Sequence, residues 1–270
     1  MHIDKKASGY SIEQINNNIK YSRLFIISPM RVAWGGDSQI RVEVSLLQEA
    51  IKTPHQYYHL ISGMDLPLKT QEEIYQFFLN HQGTSFVSLE KDHISNISKE
   101  FMPRINYYYF FQNIIGRNKG NIYSILSQLQ KLHIRLQKKL NVCRTKRLNV
   151  DFYKGSNWFS ITHEVAQYVV DQFKRNKRIY RHSFCADEIF LHTIVSNSPY
   201  LDSIEDDGLR LIDWQRGNPY TFREVDFDML IHSGENRLFA RKFDEKVDKI
   251  IIEKMYSFLK NKTLKKVAQD

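Results

Sequence analysis

Asp187 and Glu188 are adjacent carboxylates inside the stretch Ser183 to Val195 (SFCADEIFLHTIV). Ile189, Phe190, Ile194 and Val195 follow at helical spacing, which predicts a helix anchored in a core, with Ser183 placed to cap it and both acids in its first turn. A carboxylate held rigidly at the edge of a fold, where the helix N-terminus favours negative charge, is well placed to act as a general base. Acids also collect in first helical turns simply because they complement the dipole, so the pair alone does not decide for catalysis. Neighbouring helical side chains diverge by about 100°, so only one of the two can address a given hydroxyl.

Three other groups of residues carry chemical possibilities. Asp226 and Asp228 stand as Asp-x-Asp, a spacing able to hold a divalent cation, but they also fit the acids of a solvated helix face, and we read them as structural. Arg241 and Lys242 lie between Phe239 and Phe243, a flanking that favours a cleft wall over a surface charge pair. Trp158 and Trp214 can pack in a core or against a sugar ring. No G-x-G-x-x-G, P-loop, G-x-S-x-G or H-E-x-x-H pattern is present.

The order of the motifs is more specific than any one of them. WGGDS (Trp34 to Ser38), LISGMDLPLKT (Leu60 to Thr70), GSNWF (Gly155 to Phe159), ADEIFLHTIVSNSP (Ala186 to Pro199), LRLIDW (Leu209 to Trp214) and LFARKFD (Leu238 to Asp244) follow one another through most of the chain. This order resembles the inverting glycosyltransferase family that contains the peptide O-xylosyltransferases and the core 2 and I-branching β-1,6-N-acetylglucosaminyltransferases. The resemblance implies an α/β, GT-A-like nucleotide-diphospho-sugar transferase fold that moves a sugar from a UDP-sugar to an acceptor hydroxyl with inversion. It assigns the base to Glu188, with Asp187 as its positional neighbour. It gives the charge of the leaving diphosphate to Arg241, Lys242 and Arg223, so no metal or other cofactor is expected. Asp4, Trp34, Asp65, Ser156, Trp158, Asp187 and Trp214 fall in motifs that border the donor and acceptor cleft. Relatives with xylosyltransferase activity carry an acid where this chain has Asn157, which places N-acetylglucosamine ahead of xylose as the donor sugar.

The elements that must position these residues follow from periodicity. Ser11 to Ile19 reads as a helix, Arg23 to Ser28 as a buried strand, and Trp34-Gly35-Gly36 as a tight turn before a helix from Ser38 to Ala50 with Ile40, Val44 and Leu47 inward. His55 to Ser62 reads as a strand, and Thr70 opens a capping box with Glu73 on a helix to Asn80. This alternation predicts a mostly parallel sheet, with Asp4, Asp65 and the Trp34 turn at the carboxyl ends of strands, where such sheets bind ligands. Ile122 to Leu140 reads as an amphipathic helix with a basic face, Leu209 to Trp214 as a short strand, and Asp244 to about Lys260 as a last helix before a frayed tail. The organisation expected is one glycosyltransferase domain over 1–270, with a nucleotide-binding part (1–90), a basic helical insert (91–150) and a donor and acceptor part (151–270). His2 to Lys5 matches a family stretch that follows a first strand and helix, so the chain reads as lacking the first βα unit.

Composition narrows the partners without choosing among them. A chain of 270 residues can bury a substantial core, and its formal charge of +9 points to an anionic partner: a phosphate-bearing substrate, an anionic lipid surface or nucleic acid. Only two cysteines occur, Cys143 and Cys185, without metal-ligand spacing, which argues against a disulfide framework and favours a reducing compartment such as the cytoplasm. No apolar run reaches the length of a membrane span, so any membrane contact expected is peripheral. The alternative reading is a basic protein that binds nucleic acid or a membrane surface without catalysis, but no recognised nucleic-acid motif accompanies the charge. A silent carbohydrate-binding relative is a further alternative, opposed by the intact Glu188 and Lys242.

Overall fold

The computed structural model describes residues 1–89, 101–146, 148, 150–234 and 236–267, with only the backbone described over 265–267. Two compact units are assembled from interleaved segments: 1–58, 88–157 and 162–204 form the first, and 59–87, 158–161 and 205–270 the second. Residues 91–150, read above as one insert, fall within the first unit.

The first unit is mainly helical. After a short helix α1 (Ile12–Asn17) capped by the Ser11 hydroxyl, the Trp34 turn leads into α2 (Ser38–Ala50), which buries Ile40, Val44 and Leu47 as their spacing predicts. Asp37, not Ser38, is the residue before the helix; the Ser38 hydroxyl instead bonds back to Ala33. Past α4 (Gln112–Ile115) and α5 (Asn121–Lys139), the long α6 (His163–Tyr180) packs on α2 and on α7 (Phe190–Ser196). Val165, Ala166, Val169 and Val170 of α6 are buried, as are Ile189, Phe190, Leu191, Ile194 and Val195 around α7. That core of β-branched and aromatic side chains is the floor beneath Asp187 and Glu188.

Most of the strand residues belong to the second unit. Short strands β1 (Tyr57–His59), β2 (Asp65–Pro67), β3 (Ser85–Val87), β4 (Phe159–Thr162), β5 (Ile204–Glu205), β6 (Arg210–Ile212) and β7 (Phe239–Arg241) make one sheet in the order β1–β4–β3–β5 and another in the order β2–β7–β6. β3 and β4 are antiparallel, with Phe86 opposite Ser160; β2 and β7 are antiparallel, with Asp65 opposite Arg241; β6 and β7 are parallel. The sheets are therefore mixed, and the expectation of a mostly parallel sheet is corrected. β7 inserts between two earlier strands instead of adding at an edge, antiparallel to β2 and parallel to β6. Helix α3 (Gln71–Asn80) begins with the predicted capping box, and α8 (Phe227–Ile231) and α9 (Lys249–Val267) pack against each other over Leu68, Phe222, Leu230, Ala240, Phe243, Ile251 and Met255. The tail expected to fray is helical as far as Val267.

Arg210 ties this unit together from inside. Its buried guanidinium donates to the carbonyls of Leu60, Phe159 and Gly208 and to the Ser160 hydroxyl, and lies 4.3 Å from the Phe239 ring centroid. Burial lowers it to about 10, yet the ring of acceptors is what such a cation needs to stay in a dry interior.

Four further expectations are corrected. Residues 23–28 are not a buried strand: Phe25 is exposed, and the segment meets the N-terminus only through isolated bonds such as Ile27 N–H to the Met1 carbonyl and Lys5 N–H to the Met30 carbonyl. Asp4 and Trp34 accordingly do not sit at strand ends, although Asp65 begins β2. Asp187 and Glu188 do not head the α-helix but form a separate 3-10 turn, Ala186–Glu188, because Ile189 (φ −124°, ψ −40°) breaks the helical path before α7. Ser183 does not cap it; its buried hydroxyl donates to the Tyr180 carbonyl at the end of α6.

The 3-10 turn is fixed from outside by the Gly155 N–H, which donates to the Glu188 carbonyl at 3.0 Å. A Cβ at Gly155 would stand 1.7 Å from the Ser88 carbonyl oxygen and 2.7 Å from the His192 ring, so backbone must move to admit it. Gly155→Ala is expected to destabilise the protein by on the order of 3 kcal/mol, measured by chemical denaturation. A loss below about 0.5 kcal/mol, the level of an indifferent surface substitution, would show that the close approach is not a constraint.

Candidate active site

In the first unit the Trp34 turn and the acidic turn are one structure. Gly35 (φ +70°) accepts from the Cys185 N–H through its carbonyl at 2.9 Å and donates through its N–H to Gln39 Oε1 at 2.5 Å. A Cβ on Gly35 would meet the Phe184 ring at 2.8 Å, so glycine is required by both the left-handed backbone and the contact. With Oε1 occupied by Gly35, the Gln39 amide turns its Nε2 to Asp187 Oδ2 at 2.9 Å. Phe184 N–H donates to the Arg104 carbonyl, and Arg104 Nη1 reaches Glu188 Oε2 at 2.7 Å. Thus Gln39 orients one acid and Arg104 the other.

The two carboxylates have different environments. Glu188 is partly exposed, its side chain 39% accessible, and ion-paired to Arg104. Asp187 is buried, and burial, together with the neighbouring Glu188 charge, pushes it up to about 6. Beneath it lies Glu43, fully enclosed; burial first and the Asp187 carboxylate second raise it well above the usual carboxylate range, opposed by a hydrogen bond from the Asn157 side chain. Among the described residues, Glu43 Oε2 and Asp187 Oδ1 are both buried without a hydrogen-bond partner. Two neighbouring carboxyls in a dry site are best accommodated when at least one holds a proton.

Of the remaining predicted residues in this unit, Ser156 uses its carbonyl to accept from His192 Nε2 at 2.8 Å, which fixes that ring behind the turn. Trp34 is 43% exposed, edge-on to Phe184 and covered by the Arg117 guanidinium at 4.5 Å. Asp4 stands apart, partnered by the Lys6 backbone and ammonium.

The second unit gathers a different set. Asp65, 2% exposed in its side chain, accepts from the Ser62 N–H and from Arg241 Nη1 at 2.8 Å, and the Ser62 hydroxyl also accepts from Nη1. Arg241 is further held over the Trp158 ring at 4.7 Å. Among the described residues only its Nη1 is hydrogen-bonded, which leaves Nε and Nη2 as donors on a preset guanidinium. Lys242 is half-buried, its ammonium without a partner among the described residues, while Arg223 and Trp214 are exposed. Asp226 is not on a solvated face as expected. It is buried, with Oδ1 on Arg216 and Oδ2 on the Arg223 N–H, and Asp228 is exposed, so the pair does not present two free carboxylates.

Residues 1–233 match the family model described as Core-2/I-Branching enzyme. The chain belongs to this family. Among curated proteins it is similar to xylosyltransferase 1 of Rattus norvegicus, 21% identical over 286 residues, covering 96% of this chain and 32% of that protein. It is similar also to xylosyltransferase 2 of Rattus norvegicus (24% over 279 residues, covering 94% and 29%) and to xylosyltransferase 1 of Homo sapiens (22% over 287 residues, covering 96% and 27%). The chain spans about a third or less of the length of these relatives.

Gln39, Glu43 and Arg104 were not singled out from sequence. For the first two a signal existed: Gln39 and Glu43 are i, i+4 neighbours on the face of α2 that also carries Ile40, Val44 and Leu47, and an acid inside an apolar stripe marks a buried polar site. Arg104 had none, since its partner lies 84 residues away.

The raised Asp187 has a consequence for stability. Because its folded value lies above its unfolded one, the associated stability is present below about pH 4 and is lost as pH rises through about 6. Wild-type melting temperature should therefore decline between pH 5 and pH 7, and Asp187→Asn should flatten the decline and be more stable near pH 7.5 by on the order of 2 kcal/mol. Parallel wild-type and mutant melting curves across that range would refute the burial of a charge at this position.

Proposed function

We propose that the protein is a GT-A-like inverting glycosyltransferase that transfers a sugar from a UDP-sugar to an acceptor hydroxyl, with Glu188 as the general base. The observation that carries the reading is the Glu188 carboxylate, accessible, oriented by Arg104 and mounted on a turn held by backbone hydrogen bonds to Gly155, Gly35 and Arg104. The acceptor oxygen attacks the anomeric carbon as the bond to the diphosphate breaks, its proton passes to Glu188, and UDP leaves with the electron pair. No second carboxylic acid is needed, because UDP is already a good leaving group.

The cation role falls to Arg241, Lys242 and Arg223. Arg241 is preorganised by Asp65 and Trp158 and retains free donors, and Lys242 supplies an uncommitted charge; fixed cations can offset a leaving diphosphate without a metal. Support for metal independence comes from Asp226, whose oxygens are already taken by Arg216 and a backbone N–H. The donor is N-acetylglucosamine or xylose: the relatives are xylosyltransferases by name, whereas Asn157, hydrogen-bonded to Glu43, keeps a further negative charge out of a cluster that already holds two carboxyls.

Two measurements test the reading. A screen of UDP-sugars for transfer or hydrolysis should find one that is turned over, and Glu188→Gln should then reduce the rate by about 10² to 10⁴ with UDP affinity nearly unchanged. Loss of turnover in Asp187→Asn with Glu188→Gln intact would move the base by one residue. Calorimetric titration of UDP should give the same affinity with and without chelator, weakened at least about tenfold by Lys242→Ala. Absolute dependence on a divalent ion would overturn the cation assignment, and indifference to UDP with salt-sensitive polynucleotide binding would overturn the enzymatic reading.

A further inference from the structure

Helix α5 does not bury its continuous apolar stripe. Its two buried side chains are glutamines seven residues apart, with Tyr123, Leu126 and Ile134 half-buried on the same side. Gln130 accepts from the Phe111 N–H at 3.1 Å and donates to Gln112 at 3.0 Å, and Gln137 accepts from the Tyr108 N–H at 2.8 Å and donates to the Tyr108 carbonyl at 3.0 Å. The apolar stripe faces away: Ile122, Ile125, Leu129, Leu132, Leu136 and Leu140 are between 46% and 66% exposed. At about 100° per residue these six positions lie within an arc of about 80°, a continuous strip along the helix. Phe110, itself exposed and packed on the His133 ring, borders it. Single exposed leucines need no explanation, but six apolar residues aligned along one helix and its C-cap, with no cover among the described residues, do.

Charge identifies what covers the strip. Exposed Lys139 and Arg135 border one edge of it, with exposed Lys131 and Lys138 further round the helix, and residues 101–150 contain ten lysines and arginines and no aspartate or glutamate, more than the whole chain's net +9. A second copy of this helix would bring the same basic flank against the strip, whereas helix pairing through such a seam uses complementary charges at its edges. Polynucleotide would satisfy the lysines but leave the leucines in water. An anionic bilayer surface satisfies both, with the apolar strip in the acyl boundary and the basic arc among the headgroups. Among the described residues no helix is long and apolar enough to cross a membrane, so α5 would lie in the plane of the surface.

We propose that α5 docks the protein on anionic lipid, independently of the reaction assigned above. The full chain should cosediment with phosphatidylcholine vesicles containing about one-third phosphatidylglycerol, not with pure phosphatidylcholine, and should be released near 0.5 M salt, where the Debye length is only about 4 Å. Replacing Leu129, Leu132 and Leu136 by glutamine should cut partitioning at least about tenfold without lowering the melting temperature, since all three side chains are exposed. As a check that does not depend on that variant folding, an environment-sensitive fluorophore on Leu132→Cys, in a Cys143→Ser background, should shift to the blue on adding the anionic vesicles. Equal binding to both vesicle types, no spectral shift, or a concentration-dependent dimer abolished by the glutamine triplet would each overturn the proposal. So would binding to polynucleotide with none to vesicles.

Discussion

The turn carrying Asp187 and Glu188 is held by backbone hydrogen bonds from three distant stretches, and the acidic site depends on that clamp. Gly155 donates to the Glu188 carbonyl, the Gly35 carbonyl accepts from Cys185, and the Arg104 carbonyl accepts from Phe184. Two of the three contacts come from glycines into which a Cβ would collide. Backbone-to-backbone bonds of this kind leave little slack, so the carboxylates they carry are positioned by the packing of the unit and not by a helix of their own. Side chains held in this way need no reorganisation to meet a ligand.

The same clamp explains why adjacent acids behave differently. A 3-10 turn followed by a break at Ile189 sends Asp187 inward to Gln39 and Glu43 and leaves Glu188 outward to Arg104. The inner carboxyls are pushed up by burial first, Asp187 further by the Glu188 charge and Glu43 further by Asp187; the outer one is partly solvated and ion-paired. Environment thus separates the ionisation of residues that are chemically alike. In the second unit the equivalent device is Asp65, whose buried carboxylate presets Arg241, and Arg210, whose buried guanidinium gathers carbonyls of three segments.

The amino-acid sequence by itself determined the elements whose signals are local: the capping box of Thr70 and Glu73, the inward face of α2, the tight turn at Gly35, the existence of α5 and the order of motifs that places the chain in its family. It also marked Glu188, Asp187, Arg241 and Lys242 as the residues with chemistry to offer. What only the tertiary structure decided is how these residues are partnered. Gln39 and Asp187 are 148 residues apart, and Asp65 and Arg241 are 176 apart, separations at which no periodicity reports a contact. Strand direction went wrong for a related reason, because alternation of strands and helices reports order along the chain but not the insertion of β7 between β2 and β6. The facing of α5 shows the limit most plainly: a hydrophobic stripe predicts burial only if apolar surface is what the neighbouring chain offers, and here residues 108–112 offer backbone amides and a glutamine, which glutamines satisfy and leucines cannot.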